Sequence, residues 1–570
     1  MTKFFLAALK LSAIILGSAF LVDNYPLVAQ EAIFQLDPLV QEEENPLANV
    51  TSVSQLEDVQ PTDWAFQALQ SLIERYGVIA GYPDGTFRGN RAMTRYEFAA
   101  GLNAALTRIE ELIDTGSTNL SHQGNQVREE DLVTLRRLQT DFATELANLP
   151  ARVDNLQATT ALLEATQFST TTKLNGIILF NITAARAAGD VKVERIDPQD
   201  VFSAARRGED GKPIVTRVAD DPEVTFSHIT GLFLTTSFTG KDSLVTSLVT
   251  GSGNSPANVY TSAGFYNSFG TPGSDFTPTT TANQIALLES FYSFPINDSI
   301  RAIVGPRLFW LSYFDTNAFT NIFGKGASGF NTFGSPLVQE LGRGAGAIVT
   351  WRIDEQFDWR VGYTVSPNAA SPNTGFFNGN RAFTTQLTYS PISKVNLRLI
   401  YDRSRILPVD GQIRTKPIIG VADDGFGGEL ENATANSFGF NFDWLITPQF
   451  GLFGRYTYST TRLNPASDGM ESGHINVQSV QLGVALLDLG KKGALATISY
   501  VVPFDILDGR QFLVSGGGDG GTQYEIEANY YFPVNGNIAI VPTFYITGNP
   551  NNFDRNPTVF SGAVRTQFNF

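Results

Sequence analysis

From about Lys173 onward the apolar residues of this chain recur at every second position, and charged residues keep to the opposite face. Phe438, Phe440, Phe442 and Trp444 oppose Asn441 and Asp443, and Val395, Leu397, Leu399 and Tyr401 oppose Asn396 and Arg398. Tyr524, Ile526, Ala528, Tyr530 and Phe532 oppose Gln523, Glu525, Glu527 and Asn529. The last segment does the same, with Phe560, Gly562, Val564, Thr566, Phe568 and Phe570 against Ser561, Ala563, Arg565, Gln567 and Asn569. A period of two is the period of a strand. An Arg or Lys turned toward hydrocarbon at mid-membrane costs about 2–4 kcal/mol, so charges confined to one face mark a wet inside and an oily outside.

The connections sort themselves. Tight ones are expected at Thr239-Gly240-Lys241, Pro295-Ile296-Asn297-Asp298, Ile353-Asp354-Glu355, Pro391-Ile392-Ser393, Ile446-Thr447-Pro448, Leu489-Gly490-Lys491 and Pro533-Val534-Asn535-Gly536. Longer polar stretches separate them. Seven tight turns alternating with eight longer loops give sixteen strands, and a soluble sandwich does not segregate its connections in this way. The expectation is an all-β main domain, a 16-stranded antiparallel transmembrane β-barrel over residues 172–570. Phe570 reads as the membrane-assembly signal, and Tyr292, Phe294, Trp359, Tyr389, Trp444 and Tyr531 as interface girdles.

Composition supports this class. Only 17% of residues are charged, which suits a sheet whose outer side needs no soluble surface. The formal charge of −16 argues against a nucleic-acid partner, because phosphate binding needs clustered Lys and Arg. With no Cys there are no disulfides, thiolate metal sites or Cys nucleophile. His122, His228 and His474 lie far apart without carboxylates at ligand spacing, so no metal and no cofactor are expected. Ser227 and His228 are strand neighbours that point to opposite faces, which argues against an enzyme. The run Gly516-Gly517-Gly518-Asp519-Gly520-Gly521 reads as a flexible external loop.

Ahead of the barrel lie four further segments. Residues 1–29 read as a signal peptide, Lys3 preceding the apolar stretch Phe4 to Val22, with Lys10 inside it. Residues 30–54 form an acidic linker carrying Glu42-Glu43-Glu44. Residues 55–114 form a compact helical unit. Asp63 caps a helix bearing Trp64, Ala68, Leu69, Leu72 and Ile73, and Thr94-Arg95-Tyr96-Glu97 is a capping box for a second. At 128–165, Leu135, Phe142, Leu149, Leu156 and Leu163 recur every seventh residue beside Leu132, Gln139, Leu146, Val153 and Thr160. That is a coiled-coil pattern about 48 Å long at 1.5 Å per residue, interrupted by Pro150, and it implies self-association.

The compact unit resembles a surface-layer homology (SLH) domain. The resemblance rests on Leu56-Glu57-Asp58-Val59, Trp64-Ala65, Gly77-Val78-Ile79-Ala80-Gly81-Tyr82, Asp84-Gly85-Thr86-Phe87-Arg88 and Thr94-Arg95-Tyr96-Glu97-Phe98-Ala99. It departs in having Gly89 where the family usually has Pro, and in being a single copy. It implies binding to an acidic polysaccharide linked to peptidoglycan, with Arg95 as the cation and Trp64, Asp84 and Gly85 shaping the pocket. The whole order of segments resembles the SLH-domain porins of cyanobacterial outer membranes, whose barrels are grouped with the carbohydrate-selective, OprB-like porins. That likeness implies a homotrimer in outer-membrane lipid, with the SLH domain and coiled coil in the periplasm. It also implies passive passage of small hydrophilic solutes, inorganic ions (iron included) or carbohydrates. The competing reading is a wall tether that uses its barrel mainly as an anchor.

By strand parity the pore would be lined by Arg301, Arg307, Arg352, Arg360, Arg398, Arg455 and Arg565 against Glu289, Asp402, Asp443, Glu525 and Glu527. Both signs are nearly balanced, which predicts at most a weak ion preference. The stretch from Ser312 to Leu341 is the candidate inward constriction, with Asp315, Lys325, Phe323 and Phe330 as its notable residues; its rings suit either a sugar slide or packing onto the wall. Few segments look bulky enough to plug the lumen, which favours transport.

Overall fold

The computed structural model describes residues 172–278, 281–338, 343–365 and 367–570. The expected signal peptide, linker, SLH-like unit and coiled coil, with Trp64, Asp84, Gly85 and Arg95, lie outside the described residues.

Period-two segments rich in β-branched and aromatic residues form the strands. They are β1 (Thr172–Ala187), β2 (Val191–Val193), β3 (Thr216–Val218), β4 (Thr225–Thr236), β5 (Ser243–Gly251), β6 (Ala286–Pro295) and β7 (Ile300–Phe309). Next come β8 (Arg343–Arg352), β9 (Phe357–Val365), β10 (Arg381–Ile392), β11 (Val395–Ile406), β12 (Val421–Ala422), β13 (Leu430–Thr447) and β14 (Phe450–Pro465). The last are β15 (Gly473–Leu487), β16 (Leu495–Asp508), β17 (Leu513–Ser515), β18 (Tyr524–Pro533), β19 (Ile538–Gly548) and β20 (Val559–Asn569). All but β2, β3, β12 and β17 form one closed antiparallel barrel of sixteen strands. Closure joins β1 to β20, from Ile177 opposite Asn569 to Ala187 opposite Val559. Phe570 extends this seam, its N–H and C=O both bonded to the backbone of Gly176.

The seven tight connections fall where the sequence predicts. Three of them share one device: the side-chain oxygens of Asn297, Asp354 and Asn535 each accept the N–H groups two and three residues ahead. Such Asx turns reverse the chain without leaving donors unpaired. Asp242 serves the turn after β4, accepting from Phe238 N–H, Thr239 N–H and the Ser237 hydroxyl. The longer connections sit at the other end, where β2–β3 and β12–β17 build small two-stranded sheets.

The outer face is apolar and exposed, with Leu399, Phe438, Leu482 and Ile498 all more than half accessible. The inner face holds buried Asn181, Ser247, Thr384, Ser459 and Glu527. This inversion of the soluble pattern suits hydrocarbon outside. Tyr292 and Phe294 stack at 5.4 Å, Phe357 and Tyr389 at 4.7 Å, near the short-turn ends. Tyr531 departs from the expected girdle: it is buried and faces inward, where it packs with Leu495 and Phe319.

The lumen is not open along its length, contrary to the sequence expectation. Connection residues 252–278 and 310–338 fold into it. Wall residues Ile177, Leu179, Ile229, Val249 and Leu288 point inward and are buried with Phe323 of the second connection. Trp310 and Phe314 pack on Phe291, Ile303 and Ile348. Gly362 and Gly451 make room, since a Cβ at either would collide with the rings of Phe314 and Phe319. At the loop end a further core gathers Val191, Val193, Tyr260, Phe265, Ile418 and Leu513.

Leu399 is 60% exposed and sits mid-wall between Leu387 and Phe440. Leu399→Arg is expected to lower the stability of the barrel in lipid by about 2–4 kcal/mol, with Leu399→Phe near neutral. Denaturant titration of the bilayer-inserted protein checks this.

Candidate functional site

Wall charges meet the inward loops in a consistent way. Carboxylates hold loop N–H groups, and guanidinium groups hold loop carbonyls. Glu527 on β18 accepts from the N–H groups of Ser328 (2.9 Å) and Gly329 and from the Thr332 hydroxyl. Glu525, two residues earlier and so on the same face, accepts from Gly270 N–H of the other loop. Arg565 on β20 donates to the carbonyls of Gly324 (2.8 Å) and Ile322.

Arg455 on β14 is the central anchor. Its Nε donates to Asp315 Oδ1 at 3.0 Å, with side-chain exposures of 3% and 1%. Its remaining donors reach the carbonyls of Asp315, Thr332 and Phe333, Gln481 Oε1 at 2.6 Å and Thr320 Oγ1 at 2.9 Å. Asp315 also accepts from Asn441 Nδ2 at 2.6 Å and Ser335 N–H at 2.6 Å, while its own N–H donates to Gln386 Oε1. Trp310 Nε1 donates to Thr384 Oγ1, which donates to Asp402 at 2.6 Å. A buried pair is worth having only when its spare donors and acceptors are matched, and here they are.

The other inward loop is tied to β1 and β4. Asn181 exchanges two hydrogen bonds of 2.7 Å with Ser274, and Ser227 donates to Asp275. His228 turns away from Ser227 and meets Ser252 at 3.1 Å. The two loops are joined by Gly273 N–H to the Ser328 carbonyl and Phe330 N–H to the Thr271 carbonyl.

The expected pore liners therefore divide. Arg398, Arg455, Arg565, Glu289, Asp402, Asp443, Glu525 and Glu527 are buried rather than bare to the lumen. Arg398 is paired with Asp443, which also accepts from Asn396. Arg301, Arg352 and Arg360 keep access to solvent. Arg307 is a correction. It pairs with Ser290, which pairs in turn with the outward-facing Thr246, so Arg307 lies on the outer side. Register shifts beside Ser290 and between Gly305 and Leu308 reverse the parity that simple alternation assumes.

In the candidate constriction, Asp315 and Phe323 are buried, Lys325 is exposed over the Tyr531 ring at 5.6 Å, and Phe330 is half-buried. Phe314, Phe319 and Phe323 are packing that pins the loop to the wall. Phe276, Phe330 and Phe333 instead form a half-buried aromatic chain, with centroids 5.5 and 5.8 Å apart. Phe276 comes from the loop that parity reasoning passed over. Its signal was present: between Ser252 and Ile285 the only charged residue is Asp275, unusual for a loop in water.

The glycine run at 516–521 is also held rather than free. The Glu194 carboxylate, buried beneath it, accepts from Gly516 and Gly518 N–H. Gly518 has φ +55, and a Cβ there would meet the Asn552 carbonyl at 2.0 Å. Burial pushes the Glu194 carboxyl up to about 7; those two N–H donors and Arg510 oppose the rise, and Asp519 adds to it.

A closed antiparallel barrel with an exposed apolar belt and a polar interior crossed by its own loops is an outer-membrane barrel. More specifically, the chain belongs to the OprB family of carbohydrate-selective porins, whose family model matches residues 129–570. The S-layer homology domain model matches residues 55–99. An uncharacterized protein of Nostoc sp. is 34% identical over 552 residues, covering 92% of this chain and 86% of that one. Outer membrane protein SlpA of Thermus thermophilus is 38% identical over 112 residues, 20% of this chain and 12% of SlpA. The OprB structure from Pseudomonas putida at high pH aligns with TM-score 0.46 and 12% identity over 72% of this chain and 96% of that one. The chain is an outer-membrane protein.

Two expectations follow. Arg455→Leu leaves Asp315 buried without its cation, a loss of about 3–5 kcal/mol, and the inward loop is expected to leave the wall. Trypsin then cuts at Lys325 in the variant and not in the parent, while Asp315→Leu combined with Arg455→Leu restores part of the protection. The raised folded-state value of Glu194 gives a contribution that is full below its ordinary value of 4.5 and is lost as pH rises through about 7. Exchange protection of the Gly516 and Gly518 amides, corrected for intrinsic rates, is expected to fall over that window and to stay flat in Glu194→Gln.

Proposed function

We propose that the barrel is a passive pore for small hydrophilic solutes, inorganic ions (iron included) and carbohydrates, tethered to the cell wall by the segment that precedes it. The observation carrying the pore reading is the seating of loop residues 310–338 inside the barrel, where Asp315 of the loop meets Arg455 of the wall. Such a seat narrows a lumen to a defined passage rather than leaving it wide. The aromatic chain Phe276, Phe330 and Phe333 supports carbohydrate as cargo, because sugar C–H faces pack on rings.

For the tether, β1 starts at the end of the barrel that carries the short turns, which is periplasmic in bacterial outer-membrane barrels. Residues 55–114 would then present Trp64, Asp84, Gly85 and Arg95 to peptidoglycan-linked polysaccharide at the far end of a trimeric coiled coil, 128–165. Signal-peptide removal at Ala29 and the 30–54 linker complete this arrangement. A mainly structural role, with the barrel as anchor, is favoured by one observation, the filling of much of the lumen by two loops. Both readings are of a passage or an anchor and not of a catalyst.

Purified mature protein in planar bilayers and in sugar-loaded liposomes is expected to conduct and to swell the liposomes. A correctly folded barrel that does neither supports the anchor reading. Deleting residues 56–113 is expected to leave conductance intact while the envelope detaches; an unchanged envelope counts against the tether.

A further inference from the structure

The charges that pore water meets are not the balanced set the sequence lists. Of the inward acids, Glu289, Asp315, Asp402, Asp443, Glu525 and Glu527 are buried at loop or strand contacts. Guanidinium groups of β7, β8 and β9 remain accessible. Arg301 and Arg360 both pair in register with Thr350, from its two sides. Their Cα atoms therefore stand about 10 Å apart, two strand spacings. Arg352 lies two residues beyond Thr350 and so shares the same face.

These three cations are only partly satisfied by the protein. Arg301 donates to Ser293 Oγ (3.1 Å) and the Lys241 carbonyl (3.0 Å). Arg360 donates to Asp358 Oδ1 (2.6 Å) and the Tyr313 carbonyl (2.8 Å), at side-chain exposures of 28% and 30% for the ion pair. The Arg352 guanidinium is exposed and has no hydrogen-bond or ion-pair partner among the described residues. Asp358, which pairs in register with Arg352, is the one accessible carboxylate among the described inward-facing strand residues of this patch. Asp242 at the neighbouring turn also acts on Arg301, but it is buried and held by Ser237, Phe238, Thr239 and Tyr292, so three cations face two carboxylates of which one is open to water.

We propose that this arginine patch makes the pore prefer anions, and oxyanions above all: small carboxylated, phosphorylated or sulfated solutes. A guanidinium fork matches two oxygens of such a group, whereas a free metal cation is repelled. A lumen lined by one sign raises the local concentration of its counter-ion. The inference rests on the pore reading, and the measurements separate the two.

The mature full chain is placed in a planar bilayer under a potassium chloride gradient. The expected reversal potential has the chloride sign, and added inorganic phosphate reduces the chloride current. In Arg301→Gln/Arg352→Gln/Arg360→Gln the chloride-to-potassium permeability ratio is expected to fall at least about threefold, with the phosphate effect lost. Reversal potential is independent of channel number, so poor insertion does not mimic the result. If the triple variant fails to fold, Arg352→Gln alone, whose guanidinium holds no partner among the described residues, is expected to shift the ratio in the same direction. A potassium-signed or zero reversal potential in the parent, or an unchanged ratio in the variants, overturns anion preference and leaves the pore standing. No conductance from folded protein overturns both.

Discussion

Hydrocarbon offers no hydrogen-bond partner, so every N–H and C=O that crosses it is satisfied within the chain. For strands this means closure, and the pairing of β1 with β20 is the contact on which the rest depends. Once the seam is shut, the outer face has only to be apolar, and exposed Leu, Phe and Ile side chains belong there. The short turns meet the same demand locally, with Asn297, Asp354 and Asn535 supplying acceptors where the ladder ends.

The interior obeys a second rule. A loop brought inside a barrel carries unpaired backbone groups of both kinds, each costly to leave unmatched. The wall answers with both signs of charge. Glu525 and Glu527 receive loop N–H groups, and Arg455 and Arg565 receive loop carbonyls. Charges that alternation reads as a lining are for the most part fasteners. What is left over, on β7 to β9, keeps its access to water.

Much of the fold was legible because its physics is local. Period two, with charges on one face, is written residue by residue, and Pro, Asn and Asp announce the reversals. The strand number and all seven tight turns follow from that. Alternation assumes an unbroken register, and Arg307 lies beyond a bulge that reverses it. It also assumes water within, whereas β1 carries apolar residues on both faces at Ile177-Ile178-Leu179-Phe180. That run signals burial on both sides, and its inner members do pack against Phe323. The acids could not be sorted into lining and fastener, because which amide a carboxylate meets is decided by a loop folding from far away in sequence.

The anchors of the inward loops are scattered around the whole wall: Asn181 on β1, Gln386 on β10, Arg455 on β14, Glu527 on β18 and Arg565 on β20. They include both strands of the seam. The loops thus cannot take all their places until the first and last strands have met. Closing the wall and seating its contents are one coupled task, because the same two strands complete both.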